Sequence, residues 1–187
     1  MIHSVRFTTV LDTNVIYPLI SREILLWFAY YDLYTPKWSK HIFDEWKEVM
    51  IRKGVTEAEA ERRAGKADLA FPDALVKNYD GLIAHLSLPD PKDRHVLAAA
   101  IKTNANIIVT NNIKDFPEEY LQSFSLRTTT TDNFLTDTID LNPKQAVDAF
   151  REMVLNKKNP PLDKYQVLDQ MRKIGLTDSA NYLHAMI

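Results

Sequence analysis

The chain contains no cysteine. That excludes a disulfide framework, a thiolate metal site and a cysteine nucleophile together. Glycine is almost as scarce: Gly54, Gly65, Gly81 and Gly175 are the only four, and none is clustered with another. Phosphate-cradling loops need clustered glycines, so the nucleotide-binding fingerprints are missing. There is no Gly-x-Ser-x-Gly nucleophile elbow, and the five histidines are scattered without the close pairing of a zinc site. Long apolar runs are absent as well. The stretch Ile24 to Tyr31 is far too short to span a bilayer. The N-terminal His3, Ser4 and Arg6 do not begin the apolar core of a signal peptide. An intracellular, cytoplasmic protein with no membrane partner is expected. A surplus of basic charge is missing too. With a formal net charge of -2, a nucleic-acid partner would need a local basic surface, or metal ions to offset acidic groups.

What remains is 187 residues with an apolar fraction of 45%, enough for one domain, or a domain with an appendage, around a real core. The chain is organised around Phe7-Thr8-Thr9-Val10-Leu11-Asp12-Thr13-Asn14. β-Branched and aromatic residues predict a short buried strand, which runs directly into Asp12 and Asn14. An acidic side chain just past the end of a buried strand is where open α/β sheets build sites. The plainer alternative is that Asp12 caps the helical turn Thr13 to Ile16.

Helical spacing follows over Ser21 to Tyr31, then a second strand is predicted over Asp32 to Pro36. Ser39 to Arg52 reads as a helix with Ile42, Glu45, Trp46 and Val49 on one stripe. A carboxylate on an apolar stripe is costly unless paired, so Glu45 is singled out over Asp44 and Glu48; the alternative is an edge residue reaching solvent. Thr56-Glu57-Ala58-Glu59 starts another helix, bearing Arg62, Arg63 and Lys66, a solvated face or a phosphate contact. Asp90-Pro91-Lys92-Asp93 has the form of a capped helix start, followed by the alanine-rich run Arg94 to Ile101. Asp93 precedes the inward Val96, Leu97 and Ala100, so its carboxylate is expected to look into the fold. Asn106 to Thr110 is the clearest strand and exits into Asn111, Asn112 and Asp115. Asp115 would otherwise be an Asx-turn residue before Phe116-Pro117. A last strand is predicted over Leu126 to Thr130, with Thr131-Asp132 capping the helix after it. From Leu141 onward only helices are expected. Strand–helix alternation to about residue 136 argues for a parallel α/β sheet with a helical tail, divided as residues 1–136 and 137–187.

Four inward carboxylates, Asp12, Glu45, Asp93 and Asp115, would be intolerable in one place without a cation. Hard oxygen ligands select Mg²⁺ or Mn²⁺, and such ions serve phosphodiester cleavage. His95, two residues after Asp93, is positioned either to touch substrate or to sit on the helix surface.

Leu11-Asp12-Thr13-Asn14, the run Asp90 to Ala100, and Val109 to Pro117 together resemble the PIN-domain family. Within it the chain resembles the toxin ribonucleases of VapBC-type toxin–antitoxin pairs, over roughly residues 6–136. The resemblance implies a three-layer α/β/α fold with a central parallel sheet. It also implies metal-dependent cleavage of single-stranded or structured RNA, an antitoxin partner and a homodimer. Asp12, Glu45, Asp93 and Asp115 match the family's four acidic positions, as metal ligands and catalytic residues. Asn14 matches the polar residue after the first aspartate, and Asn112 stands where relatives often carry an acid. Arg94, His95 and Asp90 are the neighbouring candidates for substrate contact or support. Two other readings are open to the same residues. One is a PIN-like module that binds RNA or protein without cutting. The other is a haloacid-dehalogenase-type phosphatase, disfavoured because position 14 is asparagine where that chemistry needs a second aspartate.

Overall fold

The computed structural model describes residues 7–187; His3, Ser4 and Arg6 lie outside them. β1 (Thr8–Leu11) leads into the single turn α1 (Thr13–Ile16) and then α2 (Leu19–Tyr30). β2 (Thr35–Ser39), α3 (Lys40–Arg52), α4 (Glu57–Ala70), β3 (Leu75–Val76) and α5 (Asp80–Ile83) follow. A 3-10 turn at Pro91–Asp93 opens into α6 (Arg94–Lys102). β4 (Ile107–Val109), a 3-10 turn at Ile113–Asp115, α7 (Glu118–Gln122) and β5 (Arg127–Thr129) complete the sheet. The chain continues as α8 (Thr131–Leu141), α9 (Pro143–Leu155), α10 (Lys164–Lys173) and α11 (Thr177–Met186).

All strand pairings are parallel, in the order β3-β2-β1-β4-β5. The chain steps one way from β1 to β3 and then returns across β1 to β4. Right-handed crossovers therefore place α2 to α4 on one face and α6 and α7 on the other, the expected α/β/α arrangement. Val96 to Ala100 of α6 are fully buried, and three consecutive alanines there let the helix lie close to the sheet. On the other face Phe134 of α8 packs edge-on against Tyr34, 4.9 Å between centroids, while α9 packs along α2. The C-terminal helices thus thicken the α2 layer, burying Phe150, Leu168 and Leu183 completely. α8 itself runs through residues 136 and 137, so sheet domain and tail share a helix. Among the described residues, no helix is long and apolar enough to cross a membrane.

Local details differ from expectation. The second strand is displaced to Thr35–Ser39, because residues 31–33 finish α2. Asp32 takes a left-handed φ of 59°, and the amides of Asp32 and Leu33 return to Ala29 and Phe28. Pro36 sits inside the strand, not at its end. Thr35 donates towards β1, to Phe7, and Trp38 towards β3, to Ala74. By alternation, the N–H that Pro36 lacks would face the β3 side before β3 begins, where no ladder bond is lost. α8 is capped by Thr130, not by Thr131-Asp132; Asp132 caps a different helix, described below. The Asp90 start is also split, with a 3-10 turn before the α-helix.

Candidate active site

β1 lies between β2 and β4, so the strand order reverses at the β1–β4 pair. A crevice opens beyond the C-terminal ends of strands at such a reversal. Asp12 is the first residue past β1, and its amide donates to Val109 at the end of β4, 3.1 Å. The carboxylate is buried. Oδ1 accepts from the Thr13 amide at 2.6 Å, and Oδ2 from Asn14 Nδ2 at 2.5 Å and the Thr110 hydroxyl at 2.7 Å. Burial pushes the Asp12 pKa above the ordinary value, the nearby Glu45 charge adds to this, and the Thr110 and Thr13 hydrogen bonds offset only part of it. The capping reading of Asp12 holds in part, since it caps α1. A cap alone does not require a buried carboxylate bound from three sides.

Glu45 comes from α3, and the apolar stripe is resolved by pairing. Oε2 accepts from the Thr13 hydroxyl at 2.5 Å, and Oε1 lies 2.9 Å from His95 Nε2. Burial would raise the Glu45 pKa, but the His95 and Thr13 hydrogen bonds outweigh it and hold the carboxyl below its usual range. His95 is buried and stacks on His41 at 5.2 Å; His41 Nδ1 in turn lies 2.5 Å from the Tyr79 hydroxyl. The helix-surface alternative for His95 is therefore wrong: the ring points inward and supports Glu45.

Asp93 is half-buried at the start of α6, and its Oδ2 is buried without a hydrogen-bond partner. Burial, then the charges of Asp12, Asp90, Asp115 and Glu45, push its pKa up to about 6. Asp90 caps the 3-10 turn through the Lys92 amide at 2.9 Å and contributes its charge from behind. Arg94 buries its Nε without a partner. Asp115 is held by the side-chain amide of Asn112, and the Asn112 backbone amide donates to Thr110 at 3.1 Å. Asn112 therefore orients Asp115, whose charge faces Asp93.

The four carboxylates from β1, α3, α6 and the loop after β4 thus act on one another at one sheet edge. They do not form a finished cage: among the described residues, no group of three or more histidine, aspartate or glutamate side chains is gathered to hold a metal. The orphaned Asp93 oxygen and the all-oxygen donor set fit a hard divalent cation that keeps several waters. Thr13, which bridges Asp12 and Glu45, and Thr110, which binds Asp12, carry no signal in the sequence beyond adjacency to Asp12 and to the end of a strand. On α4, Arg62 and Arg63 are engaged elsewhere, both binding Glu59; in the tail, Lys157 binds Glu23 and Arg151 faces Asp148.

A parallel sheet of this order, with acidic side chains contributed by several segments beyond the reversal, is the arrangement of a PIN domain. The comparison agrees: residues 8–114 match the PIN domain, and the chain belongs to that family. Residues 131–185 match the VapC50 C-terminal domain. Among curated proteins, the chain is 36% identical over 98 residues to a Mycobacterium tuberculosis protein named "Putative ribonuclease VapC50". The match covers 52% of this chain and 57% of that protein, so the chain spans little more than half the length of the relative. No solved structure matches it significantly.

Proposed function

We propose that the chain is a metal-dependent endoribonuclease that cuts single-stranded RNA, acting as the toxin of a toxin–antitoxin pair in the cytoplasm. The observation that carries this reading is Asp93, with a buried oxygen that no protein group satisfies, in a place where the charges of Asp12, Asp115 and Glu45 reach it. Asp12, Glu45, Asp93 and Asp115 would hold Mg²⁺ or Mn²⁺. The ion, when bound, supplies an activated water and charge stabilisation at the phosphodiester. The chain's own contribution is orientation. Asn14, Thr110 and Thr13 fix the Asp12 oxygens. His95 and Thr13 keep Glu45 ionised at neutral pH. Asp93 Oδ2, buried and free of hydrogen bonds, is the oxygen left open for the cation. The relative's name, a ribonuclease, supports RNA as substrate, and an antitoxin partner follows from the family resemblance. A homodimer follows from family resemblance alone.

A second reading, a PIN module that binds RNA or protein without cutting, is favoured by one observation: the ligands are not pre-assembled. Cleavage of a quenched fluorescent single-stranded RNA decides between them, run with Mn²⁺, Mg²⁺ and chelator beside the Asp93→Asn variant. Metal-dependent signal that vanishes in the variant supports the nuclease. Absence of both cleavage and metal binding at the acidic site would move the assignment to the binding module.

A further inference from the structure

The C-terminal helices touch the acidic crevice through a continuous series of hydrogen bonds. Asn14 Nδ2 donates to Asp12 and Thr110, while its Oδ1 accepts from the Asn111 backbone amide at 2.9 Å. A backbone N–H can only donate, so Asn111 dictates which end of the Asn14 carboxamide faces Asp12. Asn111 is itself held from the other side: its Oδ1 accepts from the Thr131 amide at 3.1 Å and the Thr131 hydroxyl at 3.2 Å. Thr131 is the first residue of α8, and the next residue, Asp132, is bound into the tail. Its Oδ2 accepts from the Asp178 amide at 2.9 Å, and its Oδ1 from the Ser179 amide at 2.9 Å and hydroxyl at 2.6 Å. Leu176, the residue at the start of α11, offers no side-chain cap. A carboxylate borrowed from α8 therefore satisfies the first-turn amides, aided by the positive end of the helix. The first turn of α8 is thereby clamped between the end of β4 and the start of α11.

We propose that Asp132 is a positioning residue: by locking α8 to α11 it sets Thr131 and Asn111, and through them the orientation of Asn14 against Asp12. The tail then is part of the site's framework as well as cover for apolar surface. The consequence for metal binding rests on the nuclease reading; the coupling to Asn14 does not.

The test uses the full chain, with the Asn14 side-chain amide followed by nitrogen–proton NMR without metal and Mn²⁺ affinity followed by calorimetry. Asp132→Ala and the isosteric Thr131→Val are compared with Val167→Ala, which trims a fully buried α10 side chain away from this series of bonds. Both clamp variants are expected to shift the Asn14 amide resonances and weaken Mn²⁺ binding by about tenfold, as loss of support behind ligands commonly does. Val167→Ala is expected to lower thermal stability and move neither. If Asp132→Ala does not fold, Thr131→Val decides. Wild-type Asn14 resonances in the folded clamp variants would overturn the proposal. Should wild-type protein bind no Mn²⁺, the nuclease reading fails, while the Asn14 resonances still decide the coupling.

Discussion

Replacing Asp93 with asparagine should stabilise the metal-free protein at neutral pH. An Asp93 pKa raised from 3.8 to about 6 means that the folded state holds the proton more tightly than the unfolded one. Between those values the native state binds more protons, so stability falls as pH rises and stays low above about 6. At roughly 1.4 kcal/mol per pH unit the full effect is about 3 kcal/mol. Asp93 is only half-buried, so solvent screening reduces this to about 1–2 kcal/mol. For a chain of this size that is about 2–8 °C in Tm. The assay is thermal unfolding of both proteins in chelator at pH 4 and pH 7.5. The Tm advantage of Asp93→Asn should be small at pH 4 and open to several degrees at pH 7.5. Saturating Mn²⁺ should narrow or reverse it, by raising the wild type more than the variant. A gap independent of pH, or a variant less stable at pH 7.5 in chelator, would refute the claim that burial and the neighbouring carboxylates make the Asp93 charge costly.

Asp12→Asn should behave in the opposite way, because Asp12 already accepts three hydrogen bonds. An amide in its place turns a donor towards donors, costing about 1–3 kcal/mol in urea unfolding as well as abolishing cleavage; a stabilised variant would contradict this. Mn²⁺ affinity should climb as pH rises towards about 6, the pKa of Asp93, and flatten above it, as calorimetry across pH 5–8 would show. His95→Ala removes the partner that helps hold the Glu45 carboxyl low. The Glu45 carboxyl carbon should then titrate at higher pH by NMR; an unchanged titration would assign the effect to Thr13. At 100 times its dissociation constant, Mn²⁺ should stabilise the wild type by about 2.7 kcal/mol, and Asp93→Asn by much less.

How far the sequence carried these conclusions depends on how local the cause was. The ends of β1 and β4, the Glu45 stripe and the Asp90 cap are set by neighbours within a few residues, and they are legible. β2 was misplaced because the strand propensity of Leu33 and Tyr34 gave no sign that Asp32 would turn left-handed to finish α2. The two-residue β3 exists only because Trp38 and Ser39 pair with it, and no local pattern encodes that. The roles of Thr110, Asn111 and Asp132 arise from bonds between segments distant in the chain. Asp132 read naturally as a cap, correctly in kind, but the helix it caps begins dozens of residues later.

The hydrogen bonds that orient Asp12 and Asn14 join residues 98 and 97 positions apart. Closing loops of that length is the slow part of folding, and β4 must be in place beside β1 before Asp12 acquires its neighbours. Local helices such as α2 and α3 can form without them. A partly folded or freshly made chain therefore carries its acidic residues dispersed, and the acidic crevice arrives late, as a property of the finished fold.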